Sequence, residues 1–133
     1  MHDLIELLKN AKTIAVVGAS PNSDRPSHYI SKYLMSQGYT VIPVNPGHDE
    51  LFGQTCYPRV RDIPDSYTID IVDIFRRSNK VVPIVEDAME KGVGFIWMQD
   101  GVISPEAKKL AEDAGIPVEM NNCIYRVHMR SGL

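Results

Sequence analysis

Residues 13–20 read Thr-Ile-Ala-Val-Val-Gly-Ala-Ser, an unbroken apolar and β-branched run that ends at a glycine. A run of this kind is typical of a strand that is buried on both faces of a parallel sheet. Four further runs share this character and recur every 22 to 29 residues, at 40–44, 69–75, 94–98 and 116–120. The five runs therefore predict a five-stranded, mostly parallel sheet.

Helix signals fill the segments between these strands. Ser27 and Ser104 are suitable N-caps, and Gly38, Gly92 and Gly115 are suitable helix ends. We expect helices between Ser27 and Gly38, at 82–91 and at 105–114, with a leading helix at 3–9. Segment 45–66 contains prolines and glycines with little periodicity, so it predicts a loop with one short helix near 60–63.

The alternation of strands and helices predicts the fold class. Parallel strands joined through helices require right-handed crossovers, which give a doubly wound, Rossmann-like α/β fold with helices on both faces. We expect the strand order 3-2-1-4-5. Because neither a linker nor a low-complexity segment interrupts the pattern, residues 1–133 are expected to form a single domain.

The composition excludes several classes of partner. Fourteen Lys and Arg against seventeen Asp and Glu give a formal charge of −3, so we expect no nucleic acid and no membrane as partners. The chain shows no signal-peptide pattern and no long apolar segment, which predicts a cytoplasmic protein. Cys56 and Cys123 fit no disulfide framework and no zinc pattern.

Polar segments follow each predicted strand, at the edge where an open α/β sheet binds its ligand. Gly18 permits close backbone approach, and the following helix N-terminus and free amides favour a phosphate. Arg25 precedes that helix, where a cation is unfavourable unless an anion lies between them. Arg76 and Arg77 are predicted on the same edge, one of them pointing to solvent. The alternatives are a glycine that only turns the chain and arginines that are only solvated.

Known nucleotide and catalytic motifs are missing from the sequence. The first turn lacks G-x-G-x-x-G, and Asn45-Pro46 stands where an NAD-binding strand would end in an acid. There is also no G-x-x-x-x-G-K-[ST] loop. His2, His28, His48 and His128 have neither metal nor catalytic spacing and are expected to be exposed. We therefore expect no metal and no catalytic residues, with Cys123 as a small apolar filler and Trp97 in the core.

Five segments together resemble a known family: 14–20, 25–27, 38–46, 73–76 and 97–99. They resemble the small stand-alone CoA-binding proteins, which are similar to the amino-terminal domain of the succinyl-CoA synthetase α subunit. The resemblance runs from about residue 12 to residue 123. One departure is Asn121-Asn122-Cys123-Ile124, where the family often has Asp-Arg-Cys-Pro.

The resemblance implies a coenzyme A site across the carboxyl ends of the strands. By this resemblance, the phosphate groups would be held by Gly18, Ala19, Ser20, Arg25 and Ser27. The nucleotide and the pantetheine arm would be lined by Asn45, Pro46, Phe75, Arg76 and Gln99. The implied function is binding of CoA or an acyl-CoA as a small-molecule ligand, without catalysis by this chain. The alternatives are an NAD(P)- or flavin-binding enzyme or redox sensor using the same crevice, and a protein interaction module.

Overall fold

The structure is a computed structural model that describes residues 3–133, so His2 lies outside the described residues. The helices are α1 (Leu4–Asn10), α2 (Pro26–Ser36), α3 (Val81–Lys91), α4 (Pro105–Asp113) and α5 (Ile124–Ser131). The strands are β1 (Thr13–Val17), β2 (Thr40–Val44), β3 (Glu50–Leu51), β4 (Gln54–Thr55), β5 (Ile71–Ile74), β6 (Ile96–Met98) and β7 (Val118–Glu119). Within residues 3–133, no helix has the length and apolar character needed to cross a bilayer.

Five strands form one parallel sheet, in the order β2-β1-β5-β6-β7. This confirms the Rossmann-like α/β class. The predicted order 3-2-1-4-5 is wrong, because the five long strands lie in the order 2-1-3-4-5 when they are numbered along the chain. The third long strand, β5, lies beside β1 and not at the edge of the sheet. The point where strand order reverses is therefore between β1 and β5.

Asp70 forms hydrogen bonds between the two neighbouring strands β5 and β1. Its Oδ2 accepts hydrogen bonds from the backbone amides of Lys12 at 2.8 Å and Thr13 at 2.9 Å. Its own amide donates to the carbonyl of Thr13 at 3.0 Å. These three bonds join the start of β5 to the start of β1, and they act between residues far apart in the sequence. A carboxylate that receives two backbone N–H groups forms charge-assisted bonds, which are stronger than neutral ones.

The sheet separates two hydrophobic cores. One face packs against α1, α2 and α5 through Leu8, Ile30, Leu34 and Ile124. The other face packs against α3 and α4 through Val81, Val85, Ala88, Ala107 and Ala111. Trp97 in β6 is fully buried in the first core, which confirms the expectation for that residue.

The helix boundaries agree with the sequence at Ser104 and differ from it in two other places. Ser104 caps α4 as predicted, with its hydroxyl accepting from the Ala107 amide at 3.2 Å. Ser27 is not a cap, because α2 already begins at Pro26 and Arg25 occupies the N-cap position. Proline favours the first helical position because its φ is fixed and it has no N–H to satisfy. Helix α5 was not predicted.

One residue predicted to be exposed is buried, and one segment predicted as mostly loop contains a hairpin. His128 on α5 is buried, and its Nδ1 lies 2.6 Å from the Tyr33 hydroxyl on α2, so the expectation that it is exposed is wrong. Segment 45–66 contains a short 3-10 turn at Val60–Asp62, as predicted, together with the unpredicted hairpin β3–β4. Gln54 ties this hairpin to the edge strand, since its Nε2 donates to the Val41 carbonyl at 2.7 Å.

Asp73 is an exception to the apolar pattern of the central strands. Its side chain is fully buried, it pairs in register with Val16 and Trp97, and both carboxyl oxygens lack a hydrogen-bond partner in the described part of the chain. Burial raises the pKa of Asp73 well above its ordinary value. A buried carboxyl without a partner is disfavoured as a charge, so the folded protein holds Asp73 as a neutral acid.

We expect Asp73 to make stability fall as pH rises from about 4, near the unfolded pKa of aspartate. Above that pH the unfolded chain loses the proton while the folded chain keeps it, until the folded pKa is passed. Asp73→Asn removes this loss. In urea titrations between pH 4 and 8, the variant should gain stability over the wild type by up to about 1.4 kcal/mol per pH unit.

The matched control is Asp24→Asn, because Asp24 is exposed and forms no ion pair within residues 3–133. Its pH profile should run parallel to that of the wild type. Parallel profiles for wild type and Asp73→Asn would show that Asp73 is ionised in the folded state.

Candidate functional site

A cavity of about 590 Å³ opens at the carboxyl ends of β1, β5 and β6, beside the N-terminus of α2. Its walls include seven of the residues that the resemblance assigns to ligand binding: Gly18, Ser20, Arg25, Ser27, Phe75, Arg76 and Gln99. The cavity lies where β1 and β5 meet, which is the position expected for a ligand in a doubly wound sheet.

The other three predicted site residues lie outside this cavity. Ala19 is fully buried in the core. Asn45 links two loops, because its Nδ2 donates to the Ala19 carbonyl and its Oδ1 accepts from the Gly47 amide, both at 2.8 Å. Pro46 lines a second cavity of about 220 Å³, whose wall also includes Arg76. Arg76 therefore stands between the two cavities.

Gly18 is required by the contact between β1 and β5. Its φ is +87°, and a Cβ at this position would lie 2.5 Å from the carbonyl oxygen of Phe75. The ends of β1 and β5 are held at this separation by a hydrogen bond of 2.9 Å from the Phe75 amide to the Val17 carbonyl. Only glycine combines the left-handed conformation with the missing side chain that this approach demands.

Free amide donors are expected in the turn between β1 and α2. The amides of Gly18 and Ala19 are not among them, because both donate to the Val44 carbonyl, at 2.9 and 3.3 Å. The amides of Ser20 and Ser27 make no hydrogen bond within residues 3–133. The loop that carries Ser20 is held to α2 by His28, whose Nδ1 donates to the Ser20 carbonyl at 2.9 Å.

Three arginines line the cavity: Arg25, Arg76 and Arg77. Arg76 is half-buried and Arg77 is exposed, so the expectation that one of these two also serves as a solvated surface charge stays a prediction. None of the three forms an ion pair within the described residues. Asp100 also reaches the wall, but two hydrogen bonds of 2.9 Å from Arg126 occupy its carboxylate.

The Arg126 bonds lower the pKa of Asp100, because a guanidinium favours the ionised carboxylate that it contacts. Asp100 is therefore ionised, and its charge is balanced by Arg126 rather than by the three cavity arginines. The cavity keeps a net positive charge that suits a polyanion.

Gln99 and Ser27 supply further polar groups. Gln99 is only 5% exposed, and its Oε1 accepts from the Ile124 amide at 3.0 Å, which fixes the side chain. Its Nε2 has no hydrogen-bond partner within residues 3–133 and is not fully enclosed by protein atoms. Because Gln99 lines the cavity, this Nε2 faces the cavity. The same reasoning places the Ser27 hydroxyl toward the cavity.

The arrangement provides an anion site and an apolar wall but no catalytic pair. Ile30, Phe75 and Val102 form apolar parts of the wall, and no histidine lines it. Residues 3–133 contain no group of three or more His, Cys, Asp or Glu side chains that could hold a metal ion.

Sequence comparison assigns the family. A sequence profile described as the CoA binding domain matches residues 12–129. The chain belongs to the CoA-binding domain family. The match confirms the resemblance to the CoA-binding proteins.

Relatives of this CoA-binding domain are both short proteins and long enzymes. The uncharacterized protein YneT of Bacillus subtilis is 37% identical over 126 residues, which cover 95% of this chain and 92% of YneT. An ADP-forming acetate–CoA ligase of Archaeoglobus fulgidus is 30% identical over 93% of this chain. That match covers only 19% of the ligase, so this chain spans about a fifth of the ligase's length.

Solved structures similar to this chain also include both a short protein and a long enzyme. A hypothetical protein from Pyrococcus horikoshii superposes with a TM-score of 0.94 at 40% identity, covering 98% of this chain and 91% of its own. An acetyl-coenzyme A synthetase of Ca. Korarchaeum cryptofilum superposes with a TM-score of 0.75 at 33% identity. That alignment covers 91% of this chain and 28% of the synthetase.

We expect Gly18→Ala to destabilise the fold more than an ordinary change at a left-handed glycine. Gly38 is the matched control, since its φ is +96° and nothing lies within 4 Å of the position of its Cβ. Gly38→Ala should cost about 1–2 kcal/mol for the left-handed conformation alone. Gly18→Ala should cost about 1–3 kcal/mol more, because the Phe75 backbone must move.

Urea unfolding of both variants measures the difference between these two costs. Equal losses of stability would show that β5 moves away from β1 without penalty. Gly18 would then not be required by the β1–β5 contact.

Proposed function

We propose that this chain, as a single domain, binds coenzyme A or an acyl-CoA in the cavity at the carboxyl ends of the strands, without catalysis of its own. The observation that carries the proposal is the convergence of three unpaired arginines, Arg25, Arg76 and Arg77, on one cavity beside a helix N-terminus. Family membership supports coenzyme A as the polyanion.

The diphosphate is assigned to the N-terminus of α2. The free amides of Ser20 and Ser27 provide donors there, and the helix dipole favours negative charge. Arg25 stands at the N-cap position, where an anion between the guanidinium and the helix removes their mutual repulsion. Together, one cation, two amide donors and one helix N-terminus are available to bind a diphosphate.

The pantetheine arm is assigned to the larger cavity and the adenine to the smaller one. Ile30, Phe75 and Val102 offer an apolar wall to the arm, and Gln99 Nε2 offers a donor to its carbonyl groups. The smaller cavity is lined by Val44, Pro46, Pro58 and Val60 and carries Arg76 and Lys80 on its wall. An apolar slot with cations at its border suits a base whose ribose bears a phosphate.

Dinucleotide binding is the alternative, and two observations count against it. Asn45 follows β2 in place of an acid, and its amide group is engaged by Ala19 and Gly47. NAD also lacks the 3′-phosphate that the arginine at the junction of the two cavities would hold. The chemistry of the long ligases is not assigned to this chain, because the cavity contains no paired acid and base.

We expect CoA to bind more tightly than dephospho-CoA, and both to bind more tightly than NAD. The difference in affinity between CoA and dephospho-CoA reports the contribution of the 3′-phosphate. The weaker binding of NAD reflects the absence of an acidic residue after β2 that would bind its ribose. Isothermal titration of the purified protein with the three ligands gives the order. Equal affinity for CoA and dephospho-CoA would show that Arg76 does not bind the 3′-phosphate. Tighter binding of NAD than of CoA would contradict the assignment of CoA as the ligand.

Arg76→Ala should weaken CoA binding by about 1.5–3 kcal/mol, the usual value of a hydrogen bond to a charged group. This corresponds to a dissociation constant roughly 10 to 150 times larger. Arg130→Ala is the matched control, because Arg130 is exposed on α5 and does not line the cavity. Its affinity for CoA should equal that of the wild type. Equal affinity of Arg76→Ala and wild type would place the phosphates elsewhere.

A further inference from the structure

One end of the larger cavity is formed by Gln99 and Cys123. Cys123 is partly exposed, lines the cavity and occupies the N-cap position of α5. The amide of the next residue, Ile124, donates to Gln99 Oε1 at 3.0 Å, so the two side chains belong to one junction between β6 and α5.

This end of the cavity carries a polar group that the protein itself leaves without a partner. Gln99 is more than nine-tenths buried, and its Nε2 faces the cavity with no acceptor among the described residues. A buried polar group is costly unless a bond forms, so the Nε2 of Gln99 points to a polar ligand at this end.

Cys123 is accessible where the cavity meets α5. The amides of Tyr125 and Arg126 in the first turn of α5 make no hydrogen bond within residues 3–133, and Cys123 Sγ does not cap them. The Cys123 side chain is therefore not held by the start of the helix. Thiol–disulfide exchange requires an accessible thiol, and Cys123 is the partly exposed one of the two cysteines.

We propose that Cys123 captures the cofactor covalently, by thiol–disulfide exchange with CoA disulfide. This inference rests on the proposed function, because the nucleotide must occupy the cavity with its pantetheine arm directed toward Gln99. The Cys123 thiolate attacks one sulfur of CoA disulfide, and the bond between the two CoA sulfurs breaks. A Cys123–CoA mixed disulfide forms, and the second CoA leaves as a thiolate that takes up the proton lost by Cys123.

The second cysteine provides an internal comparison. Cys56 is buried, does not line either cavity, and its thiol donates to the Asn45 carbonyl at 3.6 Å. Burial raises the pKa of Cys56, which leaves less of the reactive thiolate. The exchange should therefore occur at Cys123 and not at Cys56.

The test uses the full chain, reduced and then freed of reductant. The protein is incubated with CoA disulfide, and in parallel with glutathione disulfide, and the adduct is followed by intact mass and located by peptide mapping. Because binding holds the nucleotide beside the thiol, the adduct should form at least about ten times faster with CoA disulfide than with glutathione disulfide. Dithiothreitol should remove the adduct.

Two variants test whether Cys123 is the cysteine that reacts. Cys56→Ser should form the adduct at the rate of the wild type, and Cys123→Ser should form none while keeping the thermal unfolding midpoint of a folded protein. No adduct on the wild type, an adduct on Cys56, or equal rates with the two disulfides would each overturn the proposal. Titration of the reduced wild type with CoA tests the proposed function separately, because reversible binding without an adduct rejects only the capture by Cys123.

Discussion

The backbone of Gly18 lies directly against the carbonyl of Phe75, and much of the structure depends on this contact. It exists because β5 is placed beside β1, with the Phe75 amide bonded to the Val17 carbonyl. The same placement brings Arg76 to the end of β1, where its Cδ lies 3.1 Å from the position of a Gly18 Cβ. The strand order thus assembles the wall of the cavity, and glycine at position 18 permits it.

Local sequence patterns predicted the strands well because each buried strand must be apolar on both faces, whatever its neighbours are. Strand order has no such local signature. It depends on Asp70, which bonds to residues 57 and 58 positions away in the chain. The acid was visible in the sequence, but it fell within a predicted strand, and only the fold shows that it receives the amides of Lys12 and Thr13.

The candidate site was predicted in its residue types and only partly in their arrangement. Seven residues reach the cavity because a polar segment after a parallel strand must emerge at the carboxyl edge. Ala19 and Asn45 do not, because the turn folds back and the Val44 carbonyl engages the amides of Gly18 and Ala19. Hydrogen bonds of this kind form between segments that are distant in sequence. Helix α5 was missed for a related reason, since its start depends on Gln99 rather than on a capping residue of its own.

Two arginines form bidentate ion pairs that support the fold, whereas the three arginines of the larger cavity form no ion pair within the described residues. Arg59 forms two bonds with the buried carboxylate of Asp87, at 2.7 and 3.1 Å, and so ties the loop before the 3-10 turn to α3. Arg126 holds Asp100 in the same bidentate way. Arg25, Arg76 and Arg77 form no ion pair within the described residues, although Asp100 lines the same cavity, because Arg126 already occupies that carboxylate. Like charges gathered without a counter-charge repel one another, and a bound polyanion removes that repulsion.

Asp73 is a second departure from the pairing of polar groups, within the sheet itself. A leucine or valine at this register would pack against Val16 and Trp97 and would avoid the desolvation of a carboxyl group. The central strands are otherwise apolar, so the one costly residue in them lies two positions before Phe75, where the strand enters the wall. Departures from the local rules of folding concentrate at functional sites, because there the selected property is not stability. The left-handed Gly18, the unpaired arginines and Gln99 all line one cavity, and the buried Asp73 lies two positions before Phe75 in the wall of the same cavity.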